Sequence, residues 1–109
     1  MAITYRVLGQ INPAANTQTT MYTVPAATST IVSTVSVCNT NSLATTFSLA
    51  VQPAGAALTT KNYINFNTPL PANDTITLTL GMTLGNTDVL SGNAASGNVA
   101  FNVFGSEIT

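Results

Sequence analysis

The sequence predicts an all-β protein, a single β-sandwich of jelly-roll or immunoglobulin-like type with about eight short antiparallel strands. Three observations lead there. Apolar residues recur at every second position in several segments, the period of a strand that buries one face. Clusters of Pro, Gly, Asn and Asp separate these segments at regular spacing. No long segment carries helical spacing. The 109 residues, 1–109, form one domain.

The first candidate strand is Ile3 to Leu8. Residues 9–19 after it are rich in Asn, Ala, Gln and Thr and read as a loop, so 1–19 is an N-terminal edge strand or an arm that reaches a neighbouring copy. A weak strand follows at Thr20 to Val24. Thr30 to Asn39 is stronger: Ile31, Val35 and Val37 are expected on one face, with Thr34, Ser36 and Cys38 on the other. In Thr46 to Gln52, Phe47, Leu49 and Val51 alternate with Ser48 and Ala50. Ala54 to Leu58 has room for a single helical turn, and Asn62 to Phe66 is a further weak strand. From Asp74 to Leu80, Ile76, Leu78 and Leu80 oppose Thr75, Thr77 and Thr79. Asp88 to Ser91 is weak again. Asn98 to Phe104 puts Val99, Phe101 and Val103 on one side. The β-branched content suits all of these segments.

Charge excludes several classes of function. Only Arg6, Lys61, Asp74, Asp88 and Glu107 are charged, for a formal net charge of −1. Neutralising phosphates takes clusters of Lys and Arg, so neither nucleic acid nor an anionic membrane is an expected partner. No apolar run reaches the roughly 18 residues of a membrane-crossing helix. The N-terminus lacks the apolar stretch of a signal peptide, so synthesis in a cytoplasm without export is expected. Few charges also mean little repulsion between copies, a composition suited to assembly.

Candidates for chemistry are few. There is no histidine, which removes the commonest general base and excludes Ser–His and Cys–His nucleophile pairs. Asp74 and Asp88 flank an apparent hairpin and are expected as neighbours, the one arrangement resembling a carboxylate pair. Each is better read as a turn residue bonding its own backbone. Cys38 has no basic flank to activate its thiol and is read as a small filler. The glycines precede no helix and so make no phosphate loop. No catalytic residue, cofactor, metal or small-molecule substrate is expected. The residues expected at an interface are Tyr5, Arg6, Leu8, Tyr22 and Phe104. Alternation places Phe104 opposite Phe101, and the others lie on edge segments.

Several segments together carry a resemblance. They are Tyr22-Thr23-Val24-Pro25-Ala26, Thr30 through Thr40, Phe47 to Val51, Lys61 with Tyr63-Ile64, Asn73-Asp74-Thr75, Gly81 to Leu84 with Asp88-Val89, and Phe101 to Glu107. In order and spacing the chain resembles small virion structural proteins of tailed bacteriophages, cyanophages among them. The resemblance spans about Tyr22 to Glu107. It implies a β-sandwich module of the particle without enzymatic residues. The expected role is a capsid decoration or cement protein in the virion, a homo-oligomer bridging major capsid subunits. Alternatives are a tail, neck or baseplate component and, further off, a host-surface glycan-binding module.

Overall fold

The computed structural model describes residues 2–109. Eight strands account for most of them: β1 (Ile3–Ile11), β2 (Thr19–Thr23), β3 (Ser29–Asn39), β4 (Thr45–Gln52), β5 (Tyr63–Leu70), β6 (Thr75–Leu84), β7 (Val89–Ala94) and β8 (Val99–Ile108). Two 3₁₀ turns, Pro53–Gly55 and Thr60–Asn62, lie between β4 and β5, the first at the start of the segment expected to turn helically.

The strands form two four-stranded antiparallel sheets, β1-β8-β3-β6 (sheet A) and β2-β7-β4-β5 (sheet B). Only β4 and β5 are both consecutive and hydrogen-bonded to each other; every other connection crosses between the sheets. This order is the jelly roll, which decides between the two sandwich types the sequence left open.

The core lies between the sheets. Phe47 and Leu49 of β4 and Leu90 of β7 face Val35 and Val37 of β3 and Phe101 and Val103 of β8, all fully buried or within a percent of it. Phe47 and Phe101 meet edge-to-face, with ring centroids 6.3 Å apart at 70°. Such a pair adds about 0.5–1.5 kcal/mol beyond its buried area.

Two expectations change at a single feature. Phe104 of β8 pairs with Val7 of β1 and Thr34 of β3, and on both neighbours the register skips a residue, after Val7 and after Val32. Leu8 and Ser33 are therefore bulge residues on either side of Phe104. The Ser33 hydroxyl ties its bulge down by donating to the Phe104 carbonyl at 3.1 Å. An extra residue reverses which positions face inward. On β3 this sends Val32 into the core and leaves Ile31 exposed, so Ile31 does not share a face with Val35 and Val37 as expected. On β1 it lets the strand continue through Ile11, into the segment read as a loop. There Gly9 comes so close to β2 that a Cβ on it would overlap the Met21 carbonyl oxygen.

Candidate functional site

The outer face of sheet A has two halves. Toward β6 it carries exposed Thr75, Thr77, Thr79 and Thr83. Toward β1 it is apolar. Ile3, Tyr5 and Val7 project from β1 at alternate positions, beside Phe104 of β8 and Ile31 of β3. Tyr5 is 81% exposed and Phe104 36%. Tyr5, Ile31, Phe104 and Ser106 line a shallow concavity of about 360 Å³ on this face. The β1–β8 and β8–β3 registers place Ser106 between Tyr5 and Ile31, and Phe104 beside Val7 one step along. The residues thus form one continuous band. A second, smaller apolar spot, Ile64 and Phe66, lies on edge strand β5, where Phe66 packs edge-to-face on Tyr63 at 4.9 Å.

Beneath the band lies a polar cluster. Arg6 Nη1 donates to Glu107 Oε1 at 2.8 Å, the only ion pair among the described residues. The other Glu107 oxygen, Oε2, accepts from the Tyr22 hydroxyl. Tyr22 has one proton and gives it to Glu107, so the Thr30 hydroxyl, 2.8 Å away, donates to the Tyr22 oxygen. Tyr22 belongs to sheet B, whereas Arg6, Thr30 and Glu107 belong to sheet A, so the cluster joins the two layers. Burial, then the hydrogen bond to Glu107, pushes the Tyr22 hydroxyl pKa up to about 12. The cluster fastens the sheets, and its ion pair leaves the band above without a free charge.

Of the five residues expected at an interface, Tyr5 and Phe104 lie together in the exposed band. Arg6 lies at its margin, with its side chain about half exposed and its charge bound to Glu107. The expected exposure of Leu8 and Tyr22 is corrected. Leu8 sits at the β1 bulge with its side chain turned inward, 5% exposed, and Tyr22 is 7% exposed because its hydroxyl is satisfied inside the sandwich. Ile3, Val7 and Ile31 were not singled out from sequence. The alternation of Ile3 and Val7 around Tyr5 signals the first two; Ile31 is hidden by the bulge. The inward turn of Glu107 continues the alternation of Val99, Phe101 and Val103.

Asp74 and Asp88 are not neighbours, contrary to expectation. They lie beyond opposite ends of β6, which spans ten residues, or about 30 Å. The reason is topological: β6 and β7 belong to different sheets and form no hairpin. Each carboxylate holds backbone instead. Asp88 accepts from the N–H groups of Ala54 and Gly85, both at 2.9 Å, and Asp74 from that of Thr75 at 2.8 Å. Cys38 is half-buried on the outer face of β3, paired in register with Thr75 and Ala100. Among the described residues, no group of three or more His, Cys, Asp or Glu side chains converges as a metal site, and no helix is long and apolar enough to cross a membrane. Comparison with family models, curated proteins and solved structures finds no match for this chain.

Proposed function

We propose that this chain is a structural protein of a bacteriophage virion, a decoration or cement module that binds the assembled capsid and bridges neighbouring subunits. The observation that carries the reading is the exposed apolar band of Ile3, Tyr5, Val7, Ile31 and Phe104, whose one adjacent cation is held by Glu107. Such a surface adheres by burial, with no ions to strip of water, and stays firm as salt varies. The resemblance to small tailed-phage structural proteins supports the same reading, and the jelly roll is a fold that viral shells use, although a fold alone assigns no function. The mechanism is linkage: a module that binds only the assembled lattice stabilises it by the free energy of binding. The reading assigns the chain adhesion and gives it no bond-making role.

The test is made on particles. Heads stripped of this protein are expected to open at lower temperature than complete heads, and adding the purified chain back should restore the difference. Equal heat resistance would remove the cementing role. Copy number, read by densitometry of purified particles, separates it from a tail or neck ring: decoration needs a copy number on the scale of the shell lattice, a ring only a small multiple of the axial symmetry.

A further inference from the structure

Sheet A ends in β1 on one side and β6 on the other. We propose that β1 joins β1 of another chain, antiparallel about a two-fold axis at Tyr5, making one continuous sheet across a homodimer.

Four observations carry this. First, β1 ends the strand order of sheet A, so one side of its backbone is unpaired. Ala2 and Thr109 exchange both backbone hydrogen bonds, at 3.0 and 2.9 Å. Bonded and non-bonded pairs alternate in an antiparallel ladder, so Thr4 and Arg6 also point their N–H and C=O groups at β8. The groups of Ile3, Tyr5 and Val7 therefore point outward.

Second, the available edge is bounded. Beyond the Leu8 bulge, Gly9 lies against the Met21 carbonyl, so only the segment before the bulge is open.

Third, that segment lacks the usual defences of a natural edge. It contains no Pro and no Lys, and its Arg6 is bound to Glu107 within its own chain. Edge strand β5, by contrast, carries Pro69 and shifts register twice.

Fourth, one register is self-complementary. An axis at Tyr5 sets Tyr5 opposite Tyr5 of the second copy and Ile3 opposite its Val7. Every outward N–H and C=O of the three residues then finds a partner, and the exposed side chains meet on one face. Arg6 falls opposite Thr4. Moving the axis to Arg6 would put arginine against arginine, and moving it to Thr4 would take Tyr5 off the axis and set it against Ile3. The occupant is a second copy because the edge is neutral, apolar and symmetric under this operation. A nucleic acid or an anionic lipid would need the positive charge it lacks.

The pairing does not depend on the virion reading, and its test uses the purified full chain alone. Sedimentation equilibrium over a wide concentration range is expected to show a monomer–dimer equilibrium. Tyr5→Lys, which sets one lysine against another across the axis, is expected to weaken dimerisation about tenfold or more. Val7→Pro removes an outward donor without adding charge and is expected to weaken it as well. Thr77→Lys, on exposed β6 at the other edge of the sheet, is expected to leave it unchanged. Circular dichroism and a thermal melt of each variant confirm that the monomer remains folded. A chain that stays monomeric throughout overturns the proposal. So does a dimer that survives both β1 variants, or one that Thr77→Lys disrupts as strongly. Loss of the dimer only in the β1 variants supports it, whatever becomes of the particle experiments.

Discussion

Phe101 and Glu107 sit six positions apart on the inward face of β8, about 20 Å along one strand, and opposite physics holds them. Phe101 is fully buried, edge-to-face on Phe47 among valines and leucines. Glu107 is nearly as well buried, at 9% exposure, but is bound by Arg6 and Tyr22. The dry end stabilises the sandwich through transfer of apolar surface out of water. The polar end contributes little net free energy, because desolvation offsets most of what its bonds return. What it adds is direction: Tyr22 reaches from one sheet to two defined groups on the other. Packing sets how tightly the layers close, and the polar cluster sets how they are aligned.

Substitutions can break or sharpen this contrast. Phe101→Ala should have the largest effect, a loss of about 3–5 kcal/mol in chemical denaturation, from lost transfer energy and the cavity left beside Phe47. Glu107→Ala should cost less, about 2–3 kcal/mol, because half-exposed Arg6 can turn to water while the Tyr22 hydroxyl loses its acceptor. If it cost more than Phe101→Ala, the assignment of stability to the dry end would be wrong.

Tyr22→Phe keeps the ring and deletes the hydroxyl, with an expected loss of about 1–2 kcal/mol at neutral pH. Its sharper signature is in alkali. The folded state holds the Tyr22 proton to about pH 12, against an ordinary value of 10.0. A raised pKa means a contribution fully present below pH 10 and lost as the pH climbs through 12, amounting to about 3 kcal/mol at the far side. The stability gap between wild type and Tyr22→Phe should therefore close and then change sign across that window, as denaturation at a series of alkaline pH values would show. A constant gap would mean that Tyr22 titrates as it does in the unfolded chain. Arg6→Gln should have the smallest effect, below about 1 kcal/mol, because a half-exposed ion pair is screened by solvent.

Much of the fold was legible because strand period depends only on local pattern. The alternations in Asp74 to Leu80 and Asn98 to Phe104 survive in β6 and β8, whereas β4 buries Ser48 and Ala50 along with Phe47 and Leu49 and leaves Val51 half-buried, so the one-sided pattern expected for Thr46 to Gln52 does not hold there. Strand order was not legible, because alternation names a face and never a neighbour; hence Asp74 and Asp88 were expected together and lie far apart. Bulges were hidden for a related reason. One inserted residue at Ser33 reverses a rule that holds on either side of it, and nothing in Ile31-Val32-Ser33-Thr34 marks the insertion. At the candidate site, Phe104 was legible by parity and Tyr5 by its place on an edge segment. Leu8 and Tyr22 were misplaced because their exposure depends on the bulge and on a bond to a residue 85 positions away.

The paired bulges flanking Phe104 also act as a detent. Ordinary β-ladders can slide by two residues and keep their faces. Here β8 cannot shift past β1 or β3 without carrying the offsets at Leu8 and Ser33 with it, and those are fixed in the chain. Misaligned ladders on either side are penalised at the same place, so the central strand of this sheet has one resting position and no cheap neighbouring one.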